Sequence, residues 1–130
     1  MHIEFYTGFP PSTNTYYAHT SMGVRIAAKG RAYRKRVIDD INEQLMGAKA
    51  SGRCLVEVVL WPPCNRTRDM DNFNKALLDA ITHADLWEDD GVVDQLFIYR
   101  GTVSKGHGVA GIRITEAGPL MPIGHMPPMD

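Results

Sequence analysis

The sequence predicts a small α+β (α/β) domain: a mixed sheet of about four strands with two main helices, in the order β-α-β-α-β-β. Three observations carry that expectation. Residues 54–61 (CLVEVVLW) form a β-branched run in which only Glu57 is polar, the composition of a strand central in its sheet. Phe73, Ala76, Leu77, Ala80, Ile81 and Ala84 recur at i, i+3/i+4, i+7, the stripe of an amphipathic helix over residues 71–84. Tyr33, Val37, Ile38, Ile41 and Leu45 do the same in a helix of about 16 residues that opens at Lys29-Gly30-Arg31 and stops before Gly47 and Gly52.

The remaining elements follow in order. Ile3, Phe5 and Thr7 alternate with Glu4 and Tyr6 as a short first strand. Pro10-Pro11 marks residues 8–14 as a loop, and Thr15-Tyr16-Tyr17-Ala18-His19 extends it. Pro62-Pro63 ends the apolar strand, and a polar loop, residues 64–68, delivers the chain to Asp69. Residues 85–91 are an acidic turn with Trp87 as its anchor beneath. A strand runs through Leu96, Phe97, Ile98 and Tyr99, residues 104–108 read as a hairpin loop, and residues 109–115 as the return strand. The prolines and methionines of residues 118–130 lack periodicity, so a flexible tail is expected after a single domain over residues 1–117.

Composition sets bounds. A length of 130 residues suits one core and not two. The net charge of −1 hides a segregation. Arg25, Lys29, Arg31, Arg34, Lys35 and Arg36 follow one another with no acid between, whereas Asp85, Glu88, Asp89, Asp90 and Asp94 come with no base between. A basic face beside an acidic pocket is compatible with that pattern. Cys54 and Cys64 lack the spacing of a zinc site and read as idle thiols of a reduced cytosol. His2 and Glu4 interrupt any signal-like opening, and no run of about 20 apolar residues exists to span a membrane, so a cytoplasmic protein is expected.

The chemistry concentrates at Asp69 and Asp71, one residue apart, with Lys75 after them and Asp89-Asp90 downstream. Mg²⁺ is a hard cation that takes carboxylates, waters and substrate phosphate. It polarises the phosphate and generates the attacking hydroxide, and a nearby ammonium stabilises developing charge. At roughly 100° per residue, Asp71, Lys75 and Thr82 fall opposite the apolar stripe. Asp71 and Lys75 are then stacked one turn apart, and Asp69 lies just before the helix. The competing reading is an exposed ion-pair ladder, Asp71–Lys75–Asp79, capped by Asp69. Asp89-Asp90, together with Arg66 and Arg68 just upstream of Asp69, weigh against the ladder.

Nucleic-acid contacts are expected from Asn14 and Tyr16 on the N-terminal loop, from Lys29, Arg31 and Arg34 at the start of the basic helix, from Arg66 and Arg68, and from Asn72. Two of these groups have a structural alternative. The tyrosines equally well pin the loop to the sheet, and the basic helix start equally well serves as a solvated helix end, with Arg34, Lys35 and Glu43 facing outward.

Arg68-Asp69-Met70-Asp71-Asn72, then Lys75 and Asp79-Ala80, then Leu86-Trp87-Glu88-Asp89-Asp90 with Val93-Asp94, resemble the signature of the RusA family of Holliday-junction resolvases. Pro10-Pro11-Ser12-Thr13-Asn14, Tyr16-Tyr17, His19 and Gly30-Arg31-Ala32-Tyr33-Arg34 are similar to that family's opening segment. The resemblance covers roughly residues 3 to 116. It implies a homodimeric, Mg²⁺-dependent endonuclease, Mn²⁺ serving as a substitute, that nicks four-way DNA junctions symmetrically in recombination and repair. By the same resemblance Asp69, Asp71 and Asp90 are the metal-site carboxylates and Lys75 the catalytic lysine. The preference for Asp90 over its neighbour Asp89 comes from the resemblance alone. So does a bacterial, phage or prophage origin. Two other readings stay open: a structure-selective nuclease acting on flaps or branched replication intermediates, and a non-catalytic junction binder whose acids hold a structural ion.

Overall fold

In the computed structural model, which describes residues 1–119, the apolar run expected at the centre of the sheet lies there. Strand β4 (Cys54–Trp61) is bordered on both sides in a four-stranded sheet ordered β1-β6-β4-β5, with β1 His2–Gly8, β5 Val93–Arg100 and β6 Val109–Glu116. β6 is antiparallel to β1 and to β4, and β5 runs parallel to β4. Parallel neighbours need a crossover, and it is supplied by α3 (Asn74–His83). A second helix, α2 (Ala28–Leu45), packs beside α3 on the same face of the sheet.

Burial follows the pleat. Cys54, Val56, Val58 and Leu60 of β4 point to the helices, as do Ile3 and Phe5 of β1 and Ile112 and Ile114 of β6. They meet Tyr33, Val37 and Ile41 of α2 and Ala76, Leu77, Ala80 and Ile81 of α3. Each large aliphatic side chain buried this way contributes about 1.5–3 kcal/mol. Among the described residues the other face carries no helix. Its registered rows run Tyr6–Gly111–Val59–Tyr99 and Glu4–Arg113–Glu57–Phe97 across all four strands. Arg113 bridges Glu57 (Nε–Oε2 2.7 Å) and Glu4 (Nη1–Oε1 3.6 Å) there.

The expected order β-α-β-α-β-β holds for the four-stranded sheet and its two long helices, and three details differ. Residues 13–19, expected as loop, instead form a short helix α1 (Thr13–Tyr16) and begin a hairpin of β2 (Tyr17–Thr20) with β3 (Gly23–Ile26). Gly30 lets α2 start close against this hairpin, since a Cβ there would sit 2.6 Å from the Tyr16 carbonyl oxygen. Residues 104–108 are not a hairpin loop, because β5 and β6 are separated by β4 and the segment crosses over the strand between them. Finally, no continuous helix spans residues 71–84. Met70–Asn72 is a separate 3₁₀ turn, Phe73 breaks it with φ −118°, and α3 begins only at Asn74. Phe73 is held by edge-on packing against Phe9 (5.0 Å between ring centroids), and the Asn72 carbonyl accepts from Thr13 Oγ1 (3.2 Å). Those two ties anchor residues 72–73 outside the helix. The expected tail falls almost entirely on residues 120–130, outside the described residues.

Candidate active site

Two groups of charged residues border α3, and they are built differently. The first is a seam between the helices. Arg34 of α2, expected to face outward, turns in toward α3. Its Nη2 donates to Asp79 Oδ2 at 2.7 Å and its Nε to the Tyr16 hydroxyl oxygen at 2.7 Å, and Tyr16 donates in turn to Asp79. Tyr16 is fully buried, and Arg34 and Asp79 are each 21% exposed in their side chains. Burial pushes the Asp79 carboxyl up, but the Tyr16 hydroxyl and the Arg34 guanidinium outweigh it and hold it below the usual carboxylate range. Burial, then the bond to Asp79, pushes the Tyr16 hydroxyl well up. Two expected DNA contacts, Tyr16 and Arg34, are thus employed in holding α1, α2 and α3 together. In this conformation Tyr16 offers no ring face to a ligand.

The second group lies at the edge where β5, the Met70–Asn72 turn and α3 meet. Asp69 occupies the N-cap position of that turn, yet its side chain makes no capping bond. Asp71 lies within the turn and is exposed. Lys75 is exposed on the first turn of α3. The turn and the helix are separate elements with Phe73 between them, so the continuous helix expected to carry both Asp71 and Lys75 is absent. The Asp71–Lys75–Asp79 ladder is absent too: the ion pairs among the described residues include neither Asp69, Asp71, Lys75, Asp89 nor Asp90. Of the residues that a purely structural account would employ as cap and ladder, Asp69, Asp71 and Lys75 make no ion pair among the described residues, and Asp79 serves the seam with Arg34 instead.

Asp90 opens a second 3₁₀ turn, Asp90–Val92, which packs against α3 and leads into β5. That turn is set by Trp87, buried as expected, whose indole N–H donates to Thr82 Oγ1 at 2.7 Å. Asp85 adopts φ 61° where α3 ends, and Lys49 Nζ donates to its carbonyl. Asp69, Asp71 and Asp90 are therefore on two separate turns. No three Asp, Glu, His or Cys side chains among the described residues stand together as a group able to hold a metal ion. The donor chemistry nonetheless fits Mg²⁺. Carboxylate oxygens are the hard ligands it takes, and it is commonly bound through one or two of them, with waters and substrate phosphate completing the shell. Asp69 and Asp71 on one turn meet that requirement without a three-carboxylate cage.

The basic residues divide as well. Arg68 closes its own loop: Nη1 donates to the carbonyls of Cys64 and Arg66, both at 3.0 Å, and the guanidinium lies 5.6 Å over the Phe9 ring. Arg100, at the end of β5, donates to the Arg68 carbonyl at 2.8 Å, which fixes the residue preceding Asp69. Arg68 Nη2 also donates to Cys64 Sγ at 3.2 Å. Arg31 Nη1 bonds the Ile26 carbonyl (2.7 Å) and so closes β3 onto α2. Lys29, Arg66 and Asn14 stay exposed, and Asn72 is half-buried on the turn between Asp69 and Phe73. Sequence reasoning missed Arg100 as the tie to the Asp69 loop, because a bond between a strand end and a loop 32 residues away leaves no local signal.

Known proteins are similar to this chain in sequence. A family model described as endodeoxyribonuclease RusA matches residues 8–115. A crossover junction endodeoxyribonuclease of Enterobacteria phage HK97 is 37% identical over 113 residues, covering 87% of this chain and 93% of that protein. Proteins of the same name from Shigella sonnei and Escherichia coli K12 are 36% and 34% identical, each over 110 residues, 85% of this chain and 91% of the relative.

Proposed function

This chain belongs to the endodeoxyribonuclease RusA family, and on that footing we propose that it is a Mg²⁺-dependent endonuclease that resolves four-way DNA junctions by paired nicks. The observation that carries the reading is the contrast inside one short segment. Asp79 is fully committed to the fold, while Asp69, Asp71 and Lys75 make no ion pair among the described residues. Exposed charges that stabilise nothing are available for substrate and metal.

Asp69 and Asp71 are the residues we assign to the metal, with Mn²⁺ as a substitute for Mg²⁺, and Asp90, which lies on a separate turn and does not form a three-carboxylate group with them in this structure, is assigned as their third partner. When bound, the ion supplies Lewis-acid polarisation of the scissile phosphate and activation of water. The chain's own residues do the rest. Lys75 places an ammonium beside the phosphate and stabilises charge that develops on its oxygens. Lys29 and Arg66 neutralise phosphates of the DNA arms, which gives affinity without sequence information. Arg68 and Arg100 keep the Asp69 loop in place. A four-way junction has two-fold symmetry, and paired nicks ask for two active sites related by a dyad, so we assign the active form to a homodimer. A cytoplasmic setting, where bacterial and phage DNA is processed, fits these assignments.

The test is incubation of the purified protein with a synthetic four-way junction, a flap and a duplex, each with and without Mg²⁺, followed by mapping of the nicks. Symmetric nicks in the junction that appear only with the metal are expected. Equal cutting of flap and junction favours the structure-selective reading. Junction binding indifferent to Mg²⁺, with no nick at any metal concentration, would reduce the protein to a junction binder.

A further inference from the structure

A hollow of about 720 Å³ opens beside the acid-bearing turn, between the residue 8–15 segment, the first half of α2, and the loops that follow β4 and precede β6. Its floor is largely apolar: Phe9, Pro10, Tyr33 and Phe73, with the Tyr33 hydroxyl donating to the Gly8 carbonyl at 3.1 Å. Gly108 closes one side at φ +69°, where a Cβ would lie 2.7 Å from Phe9 Cβ, so the loop can approach the floor only as glycine. The rim carries Lys29, Arg36, Arg66, Arg68 and His107, and no Asp or Glu lines it. In a chain of net charge −1 that is a marked local excess of positive charge. Arg36 is fixed by Asp40, which stands outside the lining (Nε–Oδ2 2.8 Å) and itself accepts from Thr7 Oγ1 at 2.7 Å. Two of the lining residues, Arg68 and Phe73, flank the Asp69–Asn72 segment in the chain.

We propose that this hollow is a subsite for one or two unpaired nucleotides of the DNA strand that is cut. This rests on the nuclease reading above and adds the form of the substrate: a strand opened next to the scissile phosphate. A duplex stacks its base faces out of reach and offers phosphates, sugars and base edges, so it has little use for a floor of aromatic rings and prolines. An unpaired nucleotide offers both a phosphate for the rim and a π-face for the Phe9–Arg68 stack, the combination by which single strands are held. The volume is that of a small-ligand site, about 300–1,000 Å³, and is too small for a double helix. Arg36, His107 and Phe9 thereby gain roles that no motif in the sequence marks.

The probe is a fluorescent hexathymidylate, compared with a blunt duplex of the same length, by anisotropy without metal. The intact chain should bind the single strand at least about tenfold more tightly, with a log–log salt slope near −0.7 per phosphate contacted. Replacing Lys29 and Arg66 together by alanine should flatten that slope by one to two contacts. Phe9→Leu should weaken binding several-fold with the slope unchanged, and His107→Ala should weaken it less. Melting curves confirm that each variant is folded. Equal affinity for single strand and duplex, or binding by folded variants that matches the parent, overturns the subsite. Junction nicking by the same preparations separates the two readings. Nicking by the parent with unaltered oligonucleotide binding in the variants removes the subsite and leaves the nuclease. Variant-sensitive oligonucleotide binding without nicking keeps the subsite and removes the nuclease.

Discussion

Asp79 and Asp71 belong to one short stretch of chain and have opposite surroundings. Asp79 faces α2, accepts from Tyr16 and Arg34, and sits largely out of water. Asp71 faces solvent from a 3₁₀ turn and takes part in no ion pair among the described residues. The same division separates Arg34, drawn into the seam, from Lys75, left on the first turn of α3. Charge at the seam stabilises the fold, and charge at the edge leaves the fold no better off. The two regions should therefore respond to substitution in opposite ways, one in melting temperature and the other in rate.

The largest effect is expected at the edge. Asp71→Asn keeps the shape and removes a ligand charge, so single-turnover junction cleavage should fall by about 10³-fold. Stability should stay within about ±0.5 kcal/mol, as for surface sites. A variant that cuts like the parent removes Asp71 from the metal site. Lys75→Ala comes next, with a loss of about 10²-fold in rate at saturating protein and an unchanged melting curve. A small drop in melting temperature with full activity would instead make Lys75 an ordinary surface charge.

The seam should show the reverse. Asp79→Asn leaves the Arg34 guanidinium half-desolvated without a counter-charge, at a cost of about 1–3 kcal/mol. Calorimetry should show a melting temperature lower by roughly 4–10 °C, while the folded variant cleaves close to the parent rate. Loss of cleavage at unchanged stability would erase the distinction between the two regions.

The smallest effect sharpens the same contrast through pH. Asp79 has its carboxyl held below the usual range in the folded state, so its contribution is present above the unfolded value of about 3.9 and is lost as pH falls through the lower folded value. Melting at pH 5 and at pH 3 should show a larger acid loss for the parent than for Asp79→Asn. Parallel acid losses would mean that the seam carboxyl is not the group being titrated.

The parts of this molecule that were legible in the sequence are those with a period. The stripes Tyr33-Val37-Ile41 and Ala76-Leu77-Ala80-Ile81 place both helices on the sheet, and the apolar run of β4 places that strand in its middle. What escaped has no local period. The β2–β3 hairpin is exposed along most of its length, so no alternation marks it. Residues 104–108 carry the glycines of a tight turn, yet the pairing of β6 with β4 and β1 is decided by partners distant in sequence. Arg34 and Asp79 are 45 residues apart, and a polar residue on an amphipathic helix reads as solvent-facing until its partner is known. The site acids were legible as a motif, but their spacing across two turns was not, since helical phase was assumed to run through Phe73.

The two cysteines divide along the same boundary between interior and edge. Cys54 is buried at the start of β4, and burial pushes its thiol up. Cys64 is exposed, and its bond from Arg68, followed by one from the Arg66 backbone, pulls its thiol down. A maleimide or iodoacetamide near neutral pH should therefore attach to Cys64 alone, without any engineered residue. The chain thus carries a built-in attachment point for a dye or spin label in the loop that leads to Asp69, and a signal from it would follow substrate arrival in an otherwise unaltered protein.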